Sequence, residues 1–223
     1  INPINDEPIL KIDGEQILDE IYEVTFDEEQ SSDVMVLSAS DVDDGDSATF
    51  SISSGTDIAA TLTGSDLSFS APQDYNGSEN FTITVEDSGE LTDSQIITVT
   101  VNAVNDAPVA QADISGEGDE DQSISVLLSG SDVDGDVLSY SIASAPTNGT
   151  IEISGSNATY TPGSNFNGSD SFTFTVSDGD LSDTETVALT VNAINDAPVL
   201  GVVSDVSFDE DGSGQASLSG SDI

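Results

Sequence analysis

The sequence has no cysteine, no histidine and no tryptophan, and among its 223 residues there is a single base, Lys11. The lack of cysteine excludes a disulfide framework and a thiolate metal site, and it leaves the redox compartment unmarked. The lack of histidine as well removes the familiar nucleophilic triads and the usual ligands of zinc and copper. No apolar run comes near the ~20 residues of a spanning helix, so no direct membrane insertion is expected of this region. The missing positive charge matters most. With 44 acidic residues the formal net charge is −43, which repels nucleic acid and anionic membranes and leaves cations as the implied partner.

A chain this acidic can be disordered, yet its apolar residues alternate as a solvated tail has no need to. "FTITV" sets Phe81, Ile83 and Val85 on one face with threonines on the other, and "FTFTV" does the same with Phe172, Phe174 and Val176. "IITVTV", "VALTV", "VMVLSA", "LSFSA", "LSYSIA" and "ATYTP" are further short segments of this kind, bounded by Gly, Asn, Asp and Pro turns. No stretch has helical periodicity. About seven such strands per unit predict an all-β fold, an immunoglobulin-like antiparallel Greek-key β-sandwich. Phe81, Phe172 and Tyr160 are then core residues rather than an aromatic binding platform.

The chain also repeats itself. "NDEPI" starts at Asn5 and "NDAPV" at Asn105 and Asn195, 100 and 90 residues apart. Between these markers "FDEEQ" at 26–30 answers "GDEDQ" at 118–122 and "FDEDG" at 208–212, and "SDVDDGD" at 40–46 answers "SDVDGD" at 131–136. "YNGSENFTITVEDSG" answers "FNGSDSFTFTVSDG" in the same order. Fixed-order repetition of this kind marks an array of like modules. The expected division is a first repeat over 1–105, a second over 106–195 and the truncated start of a third over 196–223. The last segment is too short to close a sandwich by itself. With no initiator methionine before "INPINDEPIL" and an ending at "SGSDI", both termini are expected to continue in a longer protein.

Strand order places the acidic motifs. With strands lettered A to G, A lies near Phe26 in the first repeat and after Asp121 in the second, while the BC and FG loops share the end at which the chain comes in. In the second repeat Asn105 and Asp106, then Asp132, Asp134 and Asp136, then Asp178 and Asp180 converge there. The opposite end carries Glu120 with Asn165 and Asn167. Because the last strand of one repeat runs through "VNAVNDAP" into the next, carboxylates are expected to gather at the junction. Clustered carboxylates repel one another, and a hard divalent cation relieves that. Calcium suits an all-oxygen set better than magnesium, which demands a tighter octahedron. "DVDGDVLSYSIA" is not an EF-hand: its glycine is fourth rather than sixth, and Ala143 stands where the bidentate Glu belongs. Alone, "SDVDGD" is a turn of good turn formers. Its coupling to "NDAP" and "SDGD" in matching order, twice, favours a metal, with Asp136 the one expected to be a solvated turn residue.

Through these residues the sequence resembles cadherin-type repeats, in particular the cadherin-like and bacterial immunoglobulin-like repeats found in tandem in large bacterial surface proteins and adhesins. The resemblance covers essentially the whole chain. It implies calcium at each junction between sandwiches arranged end to end. Glu28, Glu120 and Glu210 match the family's glutamate in strand A. Asp41 with Asp43, and Asp132 with Asp134, match its Asp-x-Asp loop, and Asp87 and Asp178 its FG aspartate. Asn105 with Asp106, and Asn195 with Asp196, match the linker, although Ala107 replaces a second Asn. The Asp-Arg-Glu position is poorer, with Asp74 and Asn76 in "QDYNG" but only Asn165 and Asn167 in "SNFNG". The implied ligands of the complete junction are Glu28, Asp74, Asn105, Asp106, Asp132, Asp134 and Asp178. Asn5, Asp6, Asp41, Asp43 and Asp87 form half a site at the beginning, and Glu120, Asn195, Asp196 and Asp222 another at the end.

The function expected on these grounds is a calcium-stiffened structural spacer or adhesion module of a secreted or cell-surface bacterial protein. Its partners are then the neighbouring repeats of its own chain. The alternative is a β-sandwich that itself binds a cell-surface protein or glycan, against which stands the missing tryptophan. A salt-adapted surface without specific ion sites is the third reading. An enzyme is not expected. A carboxylate pair of the glycosidase kind is compatible with the composition, but near-identical acidic loops in successive repeats point to a repeated structural task.

Overall fold

A computed structural model describes residues 5–17, 21–41 and 47–221. Asp43 and Asp222, two of the candidate ligands, lie outside them. The chain divides into two units, Ile1–Asn105 and Asp106–Ile223. All regular structure among the described residues is β.

The first unit contains β1 (Ile9–Ile12), β2 (Tyr22–Asp27), β3 (Met35–Ser40), β4 (Thr49–Ile52), β5 (Ala59–Thr63), β6 (Asp66–Ser70), β7 (Gly77–Glu86) and β8 (Thr92–Asn102). They form two four-stranded sheets, in the orders β1-β3-β6-β5 and β2-β8-β7-β4. The second unit contains β9 (Val109–Ala110), β10 (Ser115–Asp119), β11 (Ile124–Leu127), β12 (Gly130–Ser131), β13 (Ser139–Ser144), β14 (Gly149–Ser154), β15 (Asn157–Pro162), β16 (Gly168–Ser177) and β17 (Ser182–Asn192). Its sheets run β10-β17-β16-β13 and β11-β15-β14, with β9 paired to β12. A final pair, β18 (Val199–Leu200) and β19 (Gly220–Ser221), belongs to the same unit.

The predicted alternation is the core. Phe81, Ile83, Val85, Ile97 and Val99 in the first unit, and Phe172, Phe174, Val176, Val187 and Tyr160 in the second, are fully buried. Each large side chain contributes about 1.5–3 kcal/mol by leaving water. The two cores share no residue. Phe69 packs against Phe81 with ring centroids 4.9 Å apart and planes tilted by 54°, tying one sheet of the first unit to the other. Two hairpins close on two-residue turns: Thr63 faces Asp66 and Ser154 faces Asn157. Gly64 (φ 65°) and Gly155 (φ 60°) supply the left-handed conformation that such turns require.

The first strand differs from expectation. It is split in both units, one part antiparallel to the second strand (β1 on β3, β9 on β12) and the other parallel to the last strand (β2 on β8, β10 on β17). In the second unit the parallel part is Ser115–Asp119 and precedes Asp121 instead of following it. The sequence hid this strand because "SGEGD" carries no apolar alternation. Its two glycines lie against Ile124, and a Cβ at Gly116 or Gly118 would press on that side chain.

Candidate metal centre

At the outgoing end of each unit a buried glutamate is fixed to the chain that leaves the last strand. Glu28, only 2 % exposed, and Glu120, 7 % exposed, each follow the parallel strand directly. The Glu28 N–H donates to the Asn102 carbonyl at 3.0 Å and the Glu120 N–H to that of Asn192 at 2.9 Å, continuing the ladder by one residue. That step aims the carboxylates at the departing chain. Glu28 Oε1 accepts the Val104 N–H at 2.6 Å, and Glu120 Oε1 accepts the Ile194 N–H at 2.6 Å. Beside them Asp74 and Asn165 hold left-handed turns at φ 57° and 56°. Their N–H groups donate to Glu29 at 3.3 Å and Asp121 at 3.1 Å, respectively. The sequence reading overlooked Glu29 and Asp121, although "DEEQ" and "DEDQ" repeat them in register. Asn167 Nδ2 approaches the second oxygen of Glu120 at 3.4 Å. Asn195 donates to the Asp196 carbonyl at 2.9 Å, so its amide is turned onto the linker backbone.

The incoming end of the second unit is built from Asp106 and the loop between β12 and β13. The Asp106 N–H donates to Asp134 Oδ2 at 2.8 Å, joining linker and loop across 28 residues. The Asp136 N–H donates to Asp132 Oδ1 at 3.2 Å, and Gly135 makes the tight turn at φ 80°. Asp132, Asp134 and Asp136 each offer a carboxylate oxygen within 4.8 Å of the others. Asp136 is exposed, as expected of a turn residue, and its carboxylate lies near the other two. Asp132 Oδ2 is buried and has no hydrogen-bond partner. Asp178 Oδ1 accepts the N–H groups of Asp180 and Leu181, both at 2.7 Å, and so shapes its own loop.

In the first unit the same end brings Asn5 to Asp87. Asn5 Nδ2 donates to Asp87 Oδ2 at 2.8 Å, while Oδ1 accepts the N–H groups of Gly89 and Leu91, each at 2.8 Å. Burial alone would push the Asp87 carboxyl up, but the hydrogen bonds from Asn5, Leu91, Gly89 and Glu90 outweigh it and hold the group below its ordinary range. Asp41 is half-buried at the end of β3 and Asp6 is exposed.

A family profile described as "Bacterial Ig domain" matches residues 5–100 and again residues 105–190. The chain belongs to the bacterial Ig domain family. No curated protein matches it. Among solved structures, five extracellular cadherin domains of protocadherin gamma B2 are similar at a TM-score of 0.54 and 17 % identity, over 86 % of this chain and 42 % of that one. A protocadherin PcdhgB3 fragment, EC1-4, gives 0.54 and 16 % over 92 % of this chain and 58 % of its own. The chain thus spans about half the length of these structures, and the likeness is one of fold.

Other carboxylates of these Ig domains are committed to the fold, and the sequence reading passed over them. Asp93 Oδ2 holds the Leu10 N–H at 2.8 Å and Asp183 Oδ2 the Ala110 N–H at 2.9 Å, each tying the incoming chain to the last strand. Glu79 accepts from Thr56 at 2.9 Å and Asp57 at 2.7 Å, and Asp170 from Thr147 at 3.1 Å and Asn148 at 2.8 Å. The hydrogen bond from the Asp57 backbone leads in keeping the Glu79 carboxyl low, opposed by burial and assisted by Thr56 and Ile58. At Asp170 burial acts upward but is outweighed by Asn148, Ser171, Thr147 and the Tyr160 hydroxyl. That hydroxyl donates to Asp170 Oδ2 at 3.0 Å, and burial followed by this carboxylate raises the Tyr160 pKa to about 12.

Proposed function

We propose that the chain is a calcium-stiffened spacer or adhesion module of a large extracellular bacterial protein, and not an enzyme. Family membership in two tandem copies supports the architectural part of this reading. The calcium part rests on the loop at 132–136. Its donors are all oxygen, three carboxylates lie within 4.8 Å of one another, and the buried Asp132 Oδ2 lacks a hydrogen-bond donor. A hard divalent cation fits that set. Asp132, Asp134 and Asp136 would hold it together with Asp106, whose backbone is already fastened to Asp134.

The junction assignment extends this to Glu28, Asp74, Asn105 and Asp178. Asn105 and Asp106 share a peptide bond, so the last residue of one half-set is covalently joined to the first of the other. Calcium bound there supplies positive charge that carboxylates of both repeats can share. Without it they repel and the linker bends; with it bending breaks coordination. By the same logic Asp41, Asp43 and Asp87 belong to a half-site facing a preceding repeat, and Glu120, Asn195, Asp196 and Asp222 to one facing a following repeat. The boundaries 1–105, 106–195 and 196–223 are part of this proposal. Sites of this class bind at roughly 0.1–1 mM, so they fill outside cells and empty in cytosol.

Thermal melting and small-angle scattering of the full chain, in chelator and in excess calcium, test the reading. Calcium is expected to raise the melting temperature and to sharpen the distribution of end-to-end distances. Superimposable curves in the two buffers would remove the calcium switch from the proposal.

A further inference from the structure

Three asparagines stand before a glycine and a hydroxyl residue: Asn76 in "NGS", Asn148 in "NGT" and Asn167 in "NGS". Asn-Gly is a chemically labile pair, because a glycine nitrogen with no side chain crowding it can attack the preceding side-chain amide. The three local sequences are nearly the same, so a difference in their reactivity has to come from the fold. All three asparagines are exposed, but their glycines are held differently. Gly77 faces Val101 at the start of β7, and Gly168 faces Val191 at the start of β16. The Asp87 N–H donates to the Leu91 carbonyl at 3.0 Å, which extends the register of β7 on β8. Every second residue back along β7, through Val85 and Phe81 to Gly77, therefore sits in a hydrogen-bonded pair. In the second unit Asn192 turns its carbonyl to Glu120, which leaves Val191 facing β16 and puts Gly168 in the ladder. Both amides are thus committed to the sheet, and Asn167 Nδ2 is also held near Glu120 at 3.4 Å.

Gly149 has the opposite phase. The Gly163 N–H donates to the Asn148 carbonyl at 2.8 Å, so Asn148 and Gly163 make the hydrogen-bonded pair, and Gly149, opposite Pro162, falls between ladder bonds. Because β14 is the outer strand of its sheet, the Gly149 N–H points out of the sheet edge. Asn148 is fixed through its backbone, with its N–H on Asp170 Oδ2 at 2.8 Å, while its side-chain amide has no hydrogen-bond partner among the described residues. Packing also demands the glycine. A Cβ at Gly149 would run into the Thr161 carbonyl and the Tyr160 ring, so the fold requires the very residue that makes this peptide bond labile.

We infer that Asn148-Gly149 is a site of spontaneous deamidation selected by the fold. The Gly149 nitrogen loses its proton to solvent and bonds to Asn148 Cγ. The bond from Cγ to Nδ2 breaks, and the side-chain nitrogen takes a proton back from solvent and leaves as ammonia, closing a succinimide. Water then opens the ring. Cleavage between the Gly149 nitrogen and Cγ leaves aspartate at 148, and cleavage between that nitrogen and the main-chain carbonyl leaves isoaspartate, with the chain running through Cβ and Cγ. Either product places a negative charge on the residue bonded to Asp170. Isoaspartate also turns the carbonyl that holds Gly163 into a side group, which loosens the entry to β14. The inference does not depend on any metal.

Peptide mapping of the full chain, stored folded at mildly alkaline pH, measures amide loss at the three sites. Asn148 is expected to convert at least about tenfold faster than Asn76 or Asn167, whose glycine amides must first leave the ladder by local opening. In urea the three rates are expected to converge. Equal rates in the folded chain, or a faster Asn76 or Asn167, would overturn the proposal. A lead of Asn148 that persists undiminished in urea would assign it to local sequence and overturn the proposal as well. In the converted chain, hydrogen exchange at Gly163 is expected to quicken at least about tenfold as its acceptor is lost. Asn148→Gln, stored alongside, is expected to keep the slow exchange of the fresh parent. The same quickening in that variant would show that storage loosens the loop by another route and would overturn the assignment to Asn148.

Discussion

Glu28 Oε1 receives the backbone N–H of Val104 at 2.6 Å across 76 residues of sequence. The bond fastens the first turn of a repeat to the chain leaving its last strand. Glu120 and Ile194 repeat the arrangement at the same length. A buried carboxylate spent on a linker amide makes the position of the linker a property of the domain core rather than of the linker sequence.

Substituting Glu28 separates its two roles. Glu28→Ala removes the acceptor of the Val104 N–H and is expected to cost about 1.5–3 kcal/mol in urea unfolding, the range for a hydrogen bond to a charged group. Glu28→Gln retains an oxygen for Val104 and should lose less in chelator, yet it should bind calcium more weakly in calorimetry. Equal calcium binding by the Gln variant and the parent would remove Glu28 from the ligand set.

The loop at 132–136 distinguishes specific coordination from a generally acidic surface. Asp132→Asn with Asp134→Asn should abolish the strongest calcium isotherm. Asp33→Asn with Asp66→Asn removes the same formal charge in the first unit and should leave it in place. Similar losses in both double variants would favour a diffuse ion atmosphere.

Acid should loosen both units. The carboxyls of Glu79, Asp87 and Asp170 lie below their ordinary values of 4.5, 3.8 and 3.8. Between folded and unfolded pKa the unfolded chain binds more protons, so their contribution is full above the unfolded values and fades as pH falls through the folded ones. Fluorescence-monitored unfolding should therefore steepen below about pH 4, and Asp170→Asn should flatten that dependence in the second unit.

Alkali acts through Tyr160. Its pKa rises from 10.0 unfolded to about 12 folded, so the stabilisation is complete below pH 10 and disappears as pH passes 12. Absorbance titration should show one tyrosine ionising last, together with unfolding of the second unit, and Tyr160→Phe should remove that step.

Phe172→Ala leaves a cavity beneath the sheet formed by β16 and β17, and is expected to cost about 3–5 kcal/mol. Because the cores share no residue, calorimetry should place the loss in the second unit and leave the first transition in place.

Period-two alternation identified Phe81, Phe172 and Val187 as core because strand geometry alone sends every second side chain to one face. The repeats likewise marked Glu28, Asp106, Asp132 and Asp134 as a recurring set. The sequence could not disclose that β10 pairs parallel with β17, since "SGEGD" has no alternation and its partner lies some 70 residues away. Nor could it sort the acids. Asp93, Asp170 and Asp183 look like Asp132 in one dimension, and only the backbone N–H groups brought to them by distant strands make them structural, while Asp132 Oδ2 is left with no donor. Local periodicity is encoded residue by residue; the use of a carboxylate is decided by what the fold places within about 3 Å of it.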